Sequence, residues 1–478
     1  MSSPLPLRPP PRPPLSPHYS QKPEKNKMKL PSRFIIFLCF LLQLINTSAK
    51  FLRNRILEKL DYQPVGGAID SPTSDEYGGA IDISFDGNYV AVGSPHAGNK
   101  DQGEVKVYRS VFEDDNLIWE QVGNTIVGNA EFAHYGLSIA LSWGGKKGAT
   151  LAIGSLLDED EQGSVEVFRY DDTVNTWASV HSILGENKGD NFGKNVELSS
   201  NGKILAVSGN SIAHVYKCYT ATCEEQGSSI TINGNATIRD IDLSSGGKSL
   251  AIGAVTREDA MFGPGTVELY KFQAGNWIPI EQEFNGEIGD GAGYSVSLSN
   301  NGQTIAFGSL GVRCADGTDR CGTVKIFSND GASFTQVGDN IQGSLQSRLL
   351  GLDVDLTEDG RTLIVTSVNQ NYEATATIYS NLMGETPGWT MIQSFAGNTI
   401  ASLSSVTAAM SANGDRAIFL APGQDGTNTN IVRIFGNGTN FQAPTKSSKG
   451  GKSGKAKSSK AKSSKSSKTK SSKGNKSG

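Results

Sequence analysis

The sequence is poor in the residues that carry most protein chemistry: 5 cysteines, 5 histidines and 5 tryptophans in 478 positions. It has no Gly-X-Y period and no sustained heptad, which excludes collagen and coiled coil. Its longest apolar stretch, 34–45, covers roughly 18 Å as a helix, short of the roughly 30 Å hydrocarbon core of a bilayer. Glycine, by contrast, numbers 56, a level that suits many short strands and turns.

Charge is segregated along the chain. Residues 1–49 hold 7 bases and 1 acid, 446–478 hold 12 lysines and no acid, and 50–445 hold 47 acids against 25 bases. The net −4 therefore averages a −22 middle with a +12 tail. A −22 domain repels nucleic acid and anionic membranes, whereas the tail attracts any polyanion within about a Debye length.

Residues 1–27 contain 9 prolines and no apolar period, and are expected to be disordered. Residues 28–49 join a basic start, the apolar run and Asn46-Thr47-Ser48-Ala49, the pattern of a secretory signal peptide. Translation from Met28 and retention as a signal anchor both stay open. The exported reading agrees with the cysteines beyond Cys39, which fall as two local pairs, Cys218/Cys223 and Cys314/Cys321. Neither pair has the spacing of a zinc knuckle, so disulfides are expected. Asn235 and Asn437 head glycosylation sequons.

A repeat decides the fold. Units at 78–94, 135–155, 195–209, 240–254, 294–309, 352–367 and 406–423 share an alternating strand, a tight turn and a second apolar strand, at a period of about 54 residues. A third strand follows a glycine, as in 103–109, and an aromatic-headed fourth follows that, as in 119–128. The seventh unit stops short of its own fourth strand, and 62–69 (YQPVGGAI) matches the missing pattern. These features predict an all-β fold: a seven-bladed propeller of four-stranded antiparallel blades over about 58–445, closed by an N-terminal strand, with disordered termini.

Tyr77-Gly78, Tyr135-Gly136 and Phe192-Gly193 ahead of the first strand, with Val92-Gly93-Ser94-Pro95 after the second, resemble the FG-GAP repeat of integrin-alpha-type propellers. The hairpins lack the alternating acids of that family's calcium loops, so calcium is not carried over. The acidic runs 158–161 and 353–359 read as solvated charge. No catalytic residue, metal site or cofactor is assigned: His96, His134, His181 and His214 stand in different regions without ligand spacing. The turn 328–334 reads as a hairpin, and Trp119, Trp177, Trp277 and Trp389 share one repeat position and read as structural plugs. Protein or glycan ligands would meet the variable loops 95–102, 156–162, 257–264 and 312–320.

The tail places Lys446, Lys449, Lys452, Lys455, Lys457, Lys460, Lys462, Lys465, Lys468, Lys470, Lys473 and Lys476 among 12 serines, and cannot bury a core. Its Lys-Ser-Ser-Lys texture resembles the lysine-clustered segments of silaffin-like, biosilica-associated proteins of diatoms. That resemblance implies lysines and serines that are modified and promote silica deposition; with the signal-like segment and the lack of a catalytic constellation, the expectation is a secreted, non-enzymatic scaffold whose tail binds an extracellular polyanion, a forming mineral or an acidic wall polysaccharide. Adhesion or glycan binding through the loops is the alternative, and nucleic acid is disfavoured.

Overall fold

The computed structural model describes residues 61–70 and 79–437, except 115, 144–148, 157–161, 259–260, 283, 316, 318–319, 382–387, 401–402, 404–405 and 423–429. The leader, the signal segment, the lysine tail and the bounds 58 and 445 lie outside them.

Seven antiparallel sheets form the predicted propeller. Blade 1 runs outward through Ile81–Ile83, Tyr89–Ser94, Glu104–Glu113 and Asn116–Gln121, and the other blades repeat this order. The first strands are Ile81–Ile83, Ser138–Trp143, Asn195–Leu198, Thr237–Leu243, Ala292–Leu298, Val354–Leu356 and Thr407–Met410; each touches its counterpart in both adjacent blades, and the contacts close into a ring. Second strands such as Ala149–Ser155 are buried along their whole length, because a neighbouring blade covers each face.

The apolar core is accordingly divided into seven wedges, one per blade interface. Ile204, Ala206, Ile238, Ile241, Leu250 and Ile252 fill the wedge between blades 3 and 4, and Ile81, Val90, Ile418 and Val432 that between blades 1 and 7. Each such aliphatic side chain, once buried, contributes about 1.5–3 kcal/mol.

Two glycine positions let blades approach closely. Gly93, in the second strand of blade 1, faces Gly136, whose carbonyl oxygen would lie 2.1 Å from any Cβ there; Gly154 and Gly193 repeat the contact one blade on. The glycines of the aromatic-Gly and Val-Gly-Ser motifs are thus two sides of one backbone-to-backbone contact. The second position breaks the outer strand. Gly123 adopts φ +76°, and the fourth strand of blade 1 divides into Asn116–Gln121 and Ile126–Val127. The indole of Trp177 from blade 2 seats on that break and donates its N–H to Val122 O at 3.0 Å. Trp119, Trp277 and Trp389 make the same bond to Val65, Gln226 and Val337. The tryptophans therefore plug the joint to the preceding blade.

The N-terminal strand closes the ring as expected. Tyr62–Pro64 pairs with Asn437, Gly436 and Phe435, and Ile69–Asp70 with Val432 and Ile431. Tyr62 is 1% exposed and donates its hydroxyl to Gly414 O at 2.6 Å. Across the same seam Arg416 donates to Gly87 O and lies over the Trp119 ring, while the amide of Ala412 reaches Phe85 O. The 328–334 segment is a hairpin turn between Thr323–Asn329 and Phe334–Gln336.

Trp177→Ala should cost about 3–5 kcal/mol. Gly123→Ala should cost about 1–2 kcal/mol from its backbone angle alone, and more because its Cβ would lie 2.6 Å from Trp177 Cδ1. In a double-mutant cycle read by chemical unfolding, the glycine substitution should cost less once the indole is gone. Strict additivity would show that the two do not meet.

Candidate functional site: the acidic channel

An innermost strand has a sheet neighbour on one edge only, so half of its backbone groups face the axis without a ladder partner. Carboxylates fill much of that role. Asp82 Oδ2 of blade 1 accepts the N–H of Leu141 in blade 2 at 2.5 Å. Asp240 and Asp242 of blade 4 accept from Val296 and Leu298 of blade 5 at 2.8 and 2.5 Å. Asp353 and Asp355 of blade 6 accept from Ala408 and Met410 of blade 7 at 3.0 and 2.6 Å. In blade 5 a hydroxyl takes the part, as Ser297 Oγ accepts from Leu356 N at 3.0 Å.

These acids occupy matched registers. Asp82, Glu197 and Asp242 pair with Ala91, Ala206 and Ala251 of their second strands, and Asp355 pairs with Ile364. Together with Asp240 and Asp353 they line two adjoining cavities on the axis, of ≈ 270 and ≈ 160 Å³. Lys194 stands among the lining residues of the larger one and donates to Ile238 O at 2.6 Å.

These carboxyls line the channel and are half-buried. Burial pushes Asp82 up to about 7 and Asp353 to about 6, against backbone hydrogen bonds that pull the other way. Burial raises Asp240, Asp242, Asp355 and Glu197 as well, and repulsion from neighbouring carboxylates adds to it in Asp240, Asp355 and Glu197. Lys194 is pushed down to about 8, first by burial and then by Arg239. The channel carboxyls therefore titrate above the ordinary carboxylate range, each influenced by its neighbours. Oxygen-rich linings of this kind suit hard cations. Here, however, much of their acceptor capacity goes to backbone: Asp82 Oδ1 accepts from Ile83 N and Asp240 Oδ1 from Ile241 N in addition to the bonds across blades.

Asp353 and Asp355 correct the reading of 353–359 as solvated charge, since both face the channel and hold the next blade. The signal was present in the repeat, as an acid two residues before the Ser or Thr of the hairpin in Asp82, Glu197, Asp242 and Asp355. The run 158–161 lies outside the described residues.

The other sequence-derived positions are scattered. Cys218–Cys223 and Cys314–Cys321 are at bonding distance, with Cα separations of 3.9 and 4.9 Å. Asn235 stands exposed in a bend; Asn437 ends a strand opposite Tyr62 and is 9% exposed. His181 contacts Tyr219 O at 2.7 Å, and His214 meets Glu225 Oε1 at 2.9 Å beside Phe192 and Tyr216. His96 and His134, unrelated by spacing, come together on the loop face. That face also carries a continuous stack across blades 4 and 5: Arg239 over Tyr294, Tyr294 edge-on to Phe262, and Arg320 over Phe262. Among the described residues no helix is long and apolar enough to cross a membrane.

No protein-family model matches the chain, and no curated protein matches it by sequence. Solved structures do resemble it in shape. A hydrazine synthase chain of Kuenenia stuttgartiensis is similar at 14% identity and TM-score 0.48, over 76% of this chain and 97% of that one. Sqt1 of Chaetomium thermophilum is similar at 14% and 0.48, over 80% and 99%. A Bacteroides uniformis protein described as a candidate 6-phosphogluconolactonase is similar at 13% and 0.47, over 70% and 90%. Likeness at this level bears on neither activity nor ligand.

The raised carboxyls fix a pH dependence. A carboxyl whose folded pKa lies above its unfolded one contributes stability that is complete below about pH 4 and is lost as pH rises through its folded value, here about 6 to 7. Asp82→Asn removes the charge but keeps one acceptor oxygen for the two N–H groups of Leu141 and Ile83, so it carries a cost at every pH. Its effect on stability should be more favourable at pH 8 than at pH 4 by about 1–3 kcal/mol, read from thermal unfolding at the two pH values. An equal effect at both would refute the channel's protonation.

Proposed function

We propose that this protein is a secreted, non-enzymatic propeller of FG-GAP type, and that its lysine tail attaches it to an extracellular polyanion, a silica surface or an acidic wall polysaccharide. The observation that carries this reading is charge segregation: 12 lysines and no acid in 446–478 against −22 in 50–445. Lysines three residues apart on an extended chain lie about 10 Å from one another, a spacing at which each stays charged and can meet a separate anionic group. The paired cysteines suit an oxidising compartment, and with the signal-like segment 28–49 and the open sequon at Asn235 they support export and glycosylation. The channel carboxyls support a scaffold role, because their hydrogen bonds go to neighbouring blades.

A second reading, adhesion or glycan binding through the loops, is favoured by the stack of Arg239, Tyr294, Phe262 and Arg320. Guanidinium and aromatic planes of this kind suit an anionic or saccharide ligand.

Truncation after Thr445 separates the two readings. Full-length protein should bind silica particles and polyuronate beads at low salt and release at high salt, and the truncated chain should lose at least about tenfold in affinity. Binding that survives truncation and ignores salt would overturn the tail-anchor reading and favour the loops. Binding to silica alone or to polyuronate alone would name the polyanion.

A further inference from the structure

We infer that His96, Asp101 and His134 form a binding site for one divalent first-row transition ion of the zinc class, clasping blade 1 to blade 2 on the loop face. One donor atom from each residue falls within a set whose members all lie within 4.8 Å of one another. His96 Nδ1 is 3.6 Å from Asp101 Oδ1, and the two imidazole rings are 4.7 Å apart at an interplanar angle of 60°. Ligands of a tetrahedral zinc ion stand about 3.3 Å from each other, so side-chain torsions alone could close the set.

The backbone beneath is already assembled. His96 precedes and Asp101 ends one π-turn, Ala97–Asp101, which Gly103 N closes onto Ala97 O at 2.9 Å. The loop entering blade 2 is tied to that turn through Phe132 N to Lys100 O at 2.8 Å, His134 N to Asp101 O and Tyr135 N to Gln102 O, and Lys100 pairs with Glu131. Ser155 Oγ holds Ala133 O from below at 2.7 Å. The ligand atoms thus sit on two loops whose relative position does not depend on the ion.

The histidine is not there to serve the backbone. His134 has φ +51°, but Asn191 and Leu349 occupy the same step of other blades at φ +52°, and Gly291 does so at φ +62°. The fold therefore accepts Asn, Leu or Gly at this step, and an imidazole facing another imidazole calls for a different explanation. A metal supplies one, since two neutral imidazoles and one carboxylate suit zinc, cobalt or nickel and not the all-oxygen preference of calcium or magnesium. With His96 20% and Asp101 42% exposed, the site is open to solvent, so a bound ion would keep a position for water or an incoming donor.

Untagged full-length protein titrated calorimetrically with ZnCl2 near pH 7.5 should bind one equivalent with micromolar Kd, and Co2+ should report the same site by its visible absorption. His134→Asn, which Asn191 shows the backbone accepts, and His96→Gln should each weaken binding at least about tenfold. His214→Gln should leave it unchanged. Should either histidine variant fail to fold, Asp101→Asn serves in its place. Absence of binding at about 1 mM Zn2+, or binding that these substitutions leave intact, would overturn the assignment.

Discussion

Each innermost strand of a closed propeller must find partners for backbone groups that no further strand can meet. That requirement organises the axis of this molecule. Where an aspartate stands on the inner strand it accepts the N–H of the next blade, and in blade 5 the hydroxyl of Ser297 does the same. One consequence is mechanical, because the bond couples successive blades at the narrowest radius. The other is electrostatic: acids recruited to satisfy backbone are packed against each other, and burial raises their pKa values, that of Asp82 to about 7.

The outer radius solves a different problem. Blades splay apart away from the axis, and apolar wedges alone would leave the outer joint open. A tryptophan from each of four blades fills it, seated where the preceding blade's fourth strand breaks and bonded to that strand's carbonyl. The closing seam uses the same device, with Trp119 on Val65, and strengthens it with Arg416 and the buried Tyr62. Ring closure then gives the last sheet a full set of strands although its outer strand comes from the other end of the chain.

Charge in this protein consequently has two meanings. Part of the domain's negative charge faces inward and serves the backbone, so net charge overstates what the surface presents. The tail's charge, 12 lysines without an acid, is a property of the sequence and enters only the attachment proposed above.

The sequence alone determined the blade count, the strand order within a blade and the closing strand, because each rests on a local period of apolar residues, glycines and turn residues that survives in one dimension. The disulfide pairs were legible for the same reason, being closed within 5 and 7 residues. Only the tertiary structure decided which face a carboxylate serves. Asp353 and Asp355 look like solvated charge until the ring turns their strand toward the axis, and Asp82 and Leu141 are neighbours only across a blade interface. It also decided that His96 and His134, 38 positions apart, share one site, since contact between loops of successive blades follows from the angle at which the blades are set and leaves no trace in spacing.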